Sequence, residues 1–505
     1  MMCWVINYAI STIAVLVIII YKYLTCNYNY WKKQGIPTAK GILPGFGHML
    51  DVFILRKNVS TQLQEIYEAH PADSMVGIYD MRKPVLLIRH PELVKTVLQT
   101  EFASFSDHNT LDPQTDFLLA IDPFFVNGEM WKSMRAVFTS AFSTKKLKFV
   151  SSVAKDTCDE FFKFIDKKFD DNNNSKEAVE INAKVLFSKF TAQLGSSAIL
   201  GVEGNAFDDV DPPGSFRAMM NSMLEVNTST AIRQNIVLSL PFMGKLLKVS
   251  FVPAWVNERF NKIVNDVREL RKNQSINRDD LLQHIIDHEG SHKYGNNVSA
   301  HAFSFFIEGY ESSSLTLSAT AYLLAKHPDF QDRAREEVVS VLSEYKEICY
   351  EAVNEMTFLD QVFRETMRLF SPVGKFQKIC SKPITLQGPD GLSCSLKPGD
   401  EVFISAMGIH YDPEIWENPN EFNPDRFAKD SAESQRKFVY LSFGEGPRIC
   451  PGMRMGMLQI KAAMAIILKN YIIEPSSKMI EPVTIDPRYF LTSIKGGFWV
   501  KLKRY

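Results

Sequence analysis

Phe443-Gly444-Glu445-Gly446-Pro447-Arg448-Ile449-Cys450-Pro451-Gly452 is the stretch that decides how this 505-residue chain is read. A thiol that follows a glycine-rich turn, has an arginine two residues before it and opens a helix stands where a thiolate can ligate a metal. Apolar residues at Met453, Leu458, Ile460, Ala463 and Ile467 keep the spacing of a long buried helix, which predicts Cys450 at its N-terminus. There the helix dipole favours an anionic sulfur. Gly444, Gly446 and Gly452 let the backbone approach a flat partner closely and adopt positive φ. A lone cysteine beside a helix start is ordinarily a small buried hydrophobe. What sets this one apart is the fixed spacing of Phe443, Gly446, Arg448, Cys450 and Gly452.

Composition narrows the classes. A hydrophobic share of 45% and a length of 505 residues suit a large buried core, and a net charge of −1 gives no reason to expect nucleic acid as a partner. Seven scattered cysteines, without paired spacing, predict reduced thiols rather than a disulfide framework. From Trp4 to Tyr21 the chain is apolar except for Asn7, Ser11 and Thr12, and Lys22, Lys32, Lys33 and Lys40 follow before the first acid, Asp51. This order predicts an uncleaved membrane anchor over residues 1–24 with the body on the cytosolic side; a cleaved signal peptide would carry its positive charge first. The sequons at Asn58, Asn173, Asn227 and Asn297 are then expected to be unglycosylated.

Residues 25–50 are punctuated by Pro37, Pro44 and several glycines and read as a linker, leaving 51–505 as one domain. Within it, alternation predicts strands at Met75–Tyr79 and Val85–Ile88 with Arg82-Lys83-Pro84 in the turn. The remainder is mostly helical, with polar breaks at 170–175 and 290–297. Residues 236–252 mix apolar side chains with Lys245 and Lys248, which fits either a buried helix or an amphipathic lid on a lipid surface.

The pattern Phe-x-x-Gly-x-Arg-x-Cys-x-Gly resembles the cysteine loop of the cytochrome P-450 family of haem-thiolate monooxygenases, in particular its insect microsomal detoxifying branch. The resemblance implies a triangular, helix-rich haem domain, mainly α with a smaller β part, carried on an N-terminal anchor. Its cofactor is haem b, with Cys450 as the iron ligand and Phe443, Gly446 and Gly452 around it. Glu365-x-x-Arg368 together with Arg426, from Asn423-Pro424-Asp425-Arg426-Phe427, resembles the family's structural triad. Trp131-x-x-x-Arg135, Arg448 and Lys378 stand where relatives hold the haem propionates, although a lysine cannot make an arginine's bidentate fork. Glu311 and Ser312 occupy the positions of the acid and hydroxyl that pass protons to dioxygen, with serine in place of the usual threonine. Glu308 stands where relatives have alanine and where the fatty-acid ω-hydroxylase branch has a glutamate that esterifies a haem methyl.

The resemblance further implies NADPH-cytochrome P-450 reductase as electron donor, with cytochrome b5 as an additional one, a lipophilic small-molecule substrate, dioxygen, and residence in the endoplasmic reticulum membrane. Lys145, Lys146, Lys148, Arg436, Lys437 and Arg454 are candidate reductase contacts. Substrate contacts are expected within 105–125, 306–313, 373–376 and 490–492. A haem-thiolate isomerase or dehydratase needing no reductase, and a non-catalytic haem sensor, are the other readings.

Overall fold

Asn297 caps the helix on which the rest of the fold is assembled. Its side chain accepts the Ala300 amide at 3.0 Å, and the helix runs Val298–Lys326 until Pro328 opens the next one. Small and apolar residues occupy nearly every side of it, so it is buried almost throughout. The helices Ala183–Gly195, Thr357–Leu369 and Met453–Asn470 pack against it and share a core that includes Phe187, Leu317, Leu324, Val362 and Ile467. This computed structural model describes residues 2–171, 178–276, 278–290, 297–433 and 435–505. Asn173 and most of the two polar breaks lie outside them.

Nine strands occur among the described residues: β1 (Met75–Asp80), β2 (Lys83–Ile88), β3 (Val179–Asn182), β4 (Lys375–Ile379), β5 (Ile384–Gln387), β6 (Ser393–Leu396), β7 (Glu401–Ser405), β8 (Tyr471–Pro475) and β9 (Trp499–Arg504). They form a sheet β1-β2-β7-β4, a sheet β3-β9-β8 and the hairpin β5-β6. The architecture is thus mainly helical with a smaller strand part, as expected. The first turn is displaced from its expected place. Asp80 pairs with Lys83, so the turn is Met81-Arg82, with Met81 at φ 54°, and Pro84 lies in the strand opposite Tyr79. Proline is tolerated there because β2 begins pairing with β7 only at Val85.

The anchor is a helix, Met2–Thr25, whose span Trp4–Thr25 has a mean hydropathy of 2.1 and is wholly unburied. At 1.5 Å per residue it reaches about 33 Å, enough to cross a bilayer's hydrocarbon core. Of residues 25–50, expected as a linker, the part from Trp31 to Gly47 lies against the sheet. Trp31 is buried, its Nε1 donates to the Ile78 carbonyl at 2.8 Å, and a Cβ on Gly77 would stand 2.2 Å from its ring. Gly77 is therefore the seat of the indole. In 236–252 the short helix Pro241–Leu247 exposes Phe242, Met243, Leu246 and Leu247, so this segment is not a buried helix. Asn58, Asn227 and Asn297 are all helix N-caps, and Asn58 is buried, donating to the Tyr489 carbonyl at 2.6 Å.

A buried ion network positions the cysteine-bearing segment. Arg368 Nε and Nη2 donate to the two Glu365 oxygens at 2.7 and 2.8 Å, and Arg426 Nε reaches Glu365 Oε1 at 3.3 Å. Arg368 also donates to the carbonyls of His410, Pro419 and Glu421 at 2.7, 2.8 and 3.2 Å. His410 Nε2 accepts the Leu441 amide at 2.8 Å, and Ser442 Oγ donates to the Met367 carbonyl at 2.9 Å. Burial, then Arg368, holds His410 down to about 3, so its ring is neutral and Nε2 is free to accept. Glu365→Ala would strand two guanidinium groups in the core and is expected to lower unfolding stability by about 3–5 kcal/mol in urea. Arg364→Ala, which breaks the part-exposed pair with Asp360 on the same helix, is expected to cost no more than about 1 kcal/mol.

Candidate active site

The cysteine loop closes on itself before the helix begins. The Gly444 amide donates to Leu441 O at 2.9 Å, Ile449 to Gly446 O at 3.0 Å and Cys450 to Phe443 O at 2.8 Å. The helix starts at Met453 with Gly452 as its N-cap, so Cys450 precedes the first turn instead of sitting within it. Gly446 has φ 72°, and a Cβ there would lie 1.9 Å from the Leu98 carbonyl. Its close partner in the protein is the backbone of Leu98 and Gln99. A Cβ on Gly452 would lie 3.9 Å from Cys450 Sγ, so this glycine keeps the flank of the sulfur open.

Burial pushes the Cys450 thiol up to about 11; the Gly452 backbone and Arg135 pull it down, and Glu308 pushes it up. The helix end alone does not ionise this sulfur at neutral pH. A metal ion bound to it would.

Cationic groups crowd one side of the loop. The Arg448 guanidinium lies 4.6 Å from the Trp131 ring centre and donates to the carbonyls of Pro123 and Val126 at 2.8 and 2.9 Å. Arg135 donates to the Ile449 carbonyl, so Trp131 stacks with Arg448 and not with Arg135. Lys378 Nζ lies 2.7 Å from His108 Nε2, a residue no motif marked. Burial and then Arg448 lower Lys378 to about 7, and burial lowers Arg448 to about 10. Burial, Lys378 and Arg448 together hold His108 down to about 2. The buried Arg448 Nε has no hydrogen-bond partner. A donor set of this kind suits paired anionic carboxylates. Haem b, which brings an iron for a thiolate and two propionates for such cations, therefore fits the residues present.

Across from the sulfur, the Val298–Lys326 helix turns Glu308, Gly309 and Ser312 toward accessible space while the residues around them are buried. Glu308 is exposed yet enclosed by the protein around it, so it faces an internal space. Burial and then Asp122 push it up to about 8. Ser312 Oγ donates to Glu308 O at 2.8 Å. A Cβ on Gly309 would meet only Gln459 Nε2, at 4.0 Å, and that nitrogen donates to the Gly309 carbonyl at 2.9 Å. Glu311 points elsewhere: Lys184 Nζ donates to it at 2.8 Å and the Tyr489 hydroxyl donates to its other oxygen. Neither Lys184 nor Tyr489 carries a local sequence signal.

Of the expected substrate positions, Phe105 and Phe306 are packed into the core, while Phe124 is half exposed. Five of the six expected reductase contacts, all but Lys437, have local partners. Lys145 and Lys146 pair with Asp279, Lys148 pairs with Glu351, Arg436 donates to Ile415 O, and Arg454 donates to the Tyr350 hydroxyl.

Comparison with known proteins bears on the same residues. The sequence profile of the family described as Cytochrome P450 matches residues 37–500. The probable cytochrome P450 28d1 of Drosophila melanogaster is 32% identical over 507 residues, spanning 98% of this chain and 98% of its own length. Cytochrome P450 6j1 of Blattella germanica is 29% identical over 506 residues, with 98% of each covered. Cytochrome P450 6B2 of Helicoverpa armigera is 29% identical over 503 residues, with 96% of each covered. A cysteine loop facing a cationic cradle, within similarity that runs the length of insect relatives, leaves one conclusion: the chain belongs to the cytochrome P450 family, in its insect branch, and is a haem-binding monooxygenase.

Proposed function

We propose that this enzyme inserts one atom of dioxygen into a lipophilic substrate with NADPH-derived electrons from a separate reductase, in the metabolism of xenobiotics, insecticides or hormones. What supports this reading is that Cys450 lies within electrostatic reach of Glu308 on the long helix and of Arg135, in a loop whose Arg448 adjoins Lys378. When bound, haem supplies the activation of dioxygen and the transfer of oxygen to carbon. Cys450 would hold its iron through the thiolate, and Gly452 leaves room beside the sulfur. Trp131 supports Arg448, which with Arg135 and Lys378 would neutralise the propionates, while the neutral His108 positions Lys378. Phe443 packs beside the loop and offers its carbonyl to the Cys450 amide. Ser312 presents a hydroxyl on the internal face. Glu311 lies behind it on the same helix and is paired with the part-exposed Lys184, which links it toward solvent. The Glu365, Arg368 and Arg426 network keeps the loop in register.

The anchor helix and the exposed Phe242, Met243, Leu246 and Leu247 support a body resting on the cytosolic face of the endoplasmic reticulum membrane, where lipophilic compounds concentrate. Residues 1–24 then form the anchor and the remainder the haem domain, with 25–50 as its membrane-proximal edge.

With NADPH, reductase and a panel of lipophilic compounds, the full chain is expected to yield hydroxylated product only when reductase is present. Product without reductase would support the isomerase reading, and no turnover across a broad panel the sensor reading. A second expectation follows from Lys378. An anion bound beside it favours the protonated amine, so haem binding takes up a proton there, while ligation of Cys450, whose thiol stands at about 11, releases one. Between about pH 7 and 10 the two offset, so affinity should be nearly independent of pH, whereas Lys378→Arg, which removes the uptake, should make it rise with pH by up to about tenfold per unit. Competition with an acceptor globin measures both profiles.

A further inference from the structure

A cleft of about 160 Å³ opens where the first turns of the helix that follows Cys450 meet two other helices. It exceeds the ~15 Å³ that a single water needs, so it has room for a small molecule. Tyr350 enters it from the helix Tyr350–Glu355, Asp360 and Arg364 from Thr357–Leu369, and Arg454, Met457 and Lys461 from Met453–Asn470. None of these side chains belongs to the haem cradle.

The charges lining the cleft do not balance. Lys461 is 4% exposed, its ammonium makes no hydrogen bond among the described residues, and Asp360 Oδ1 stands off at 4.0 Å. The other oxygen of Asp360 accepts Arg364 Nε at 2.5 Å, and the two Nη groups of Arg364 make no hydrogen bond among the described residues. Arg454 has neutral partners, the hydroxyls of Tyr350 at 2.6 Å and Thr144 at 3.2 Å. Glu337, a further acid acting on Lys461, uses its oxygens on the amides of Phe358 and Leu359 at 2.7 and 2.9 Å. Three cations in the lining thus share one carboxylate. Burial lowers the Lys461 amine, as it does for any ammonium short of countercharge.

A neighbouring cleft supplies the contrast. It measures about 140 Å³ and shares Tyr350, but its two lysines each face an acid: Lys148 meets Glu351 at 2.6 Å and Lys155 meets Glu347 at 3.4 Å. Of the two clefts, the first alone leaves positive charge unmatched. Water would give Lys461 an acceptor without a countercharge, and a carboxylate would bring a single charge. A phosphate group brings nearly two charges and enough oxygens to accept from an ammonium and two guanidinium groups together. Val353, Met457 and Leu458 complete the lining with apolar surface, which suits the organic part of an ester.

We propose that Arg364, Arg454 and Lys461 form a binding site for a phosphate monoester, sharing no residue with the haem cradle. Its oxygens satisfy the ammonium of Lys461 and the free donors of both arginines, and its substituent lies along Met457 and Leu458.

The test is calorimetric titration of the haem-loaded full chain at constant ionic strength with phenyl phosphate, inorganic phosphate and benzoate. Phenyl phosphate is expected to bind saturably with a dissociation constant of about 1 mM or tighter, at least about tenfold more tightly than benzoate and more tightly than inorganic phosphate, which cannot use the apolar wall. Lys461→Met should weaken phenyl phosphate at least about tenfold. Arg454→Gln, at an exposed side chain whose loss does not threaten folding, should weaken it by about fivefold and keeps the test open should the buried substitution unfold the chain. No saturable binding of phenyl phosphate below about 10 mM overturns the proposal. Benzoate or inorganic phosphate binding as tightly overturns it too. Affinity for phenyl phosphate unchanged by Arg454→Gln places the ligand elsewhere on the enzyme and is equally fatal.

Discussion

The guanidinium of Arg368 is the fixed point of the structure. Arginine has five N–H donors, and here each has an acceptor: two oxygens of Glu365 and the carbonyls of His410, Pro419 and Glu421. A charge buried with every donor satisfied resists displacement, because any movement leaves part of it unpaired. Its grip on His410 passes to the Leu441 amide, then through Ser442 and Phe443 to the amide of Cys450. The position of one sulfur is thus set by an ion pair on a different helix.

Around that sulfur the electrostatics are opposed on both sides. Burial raises the Cys450 thiol, while burial and mutual repulsion lower Lys378, Arg448 and His108. A group carrying a metal at its centre and carboxylates at its edge relieves both conditions at once. The protein therefore contributes a preorganised mismatch that haem resolves, and this is a physical account of cofactor selectivity rather than an analogy.

The parts of the site legible in sequence are those whose spacing is local. The cysteine loop, Glu365 with Arg368, and Trp131 with Arg135 each lie within one turn or one helix face, and all lie near the sulfur or its support. Lys184, Tyr489 and Gln459 escaped because their partners lie far along the chain and nothing local distinguishes them from ordinary polar residues, while His108 fell inside the expected substrate stretch 105–125 without being singled out. Glu311 is expected as the acid of a proton path, and the structure turns it to Lys184 and Tyr489. Its attachment to Lys184 and Tyr489 depended on packing between elements more than a hundred residues apart. The displaced turn and the docked linker have the same origin: Pro84 and Gly77 read locally as breakers, yet each is accommodated by a partner, or a gap in pairing, supplied from elsewhere.

The central claim is that Cys450, despite burial that favours its protonated form, is a thiolate bound to haem iron. The absorption spectrum of the ferrous carbonyl complex of the full chain tests this most directly. The account predicts the red-shifted Soret band that a thiolate ligand produces, abolished by Cys450→Ala. A band at the unshifted position in well-folded material, or one that survives loss of this cysteine, would contradict it.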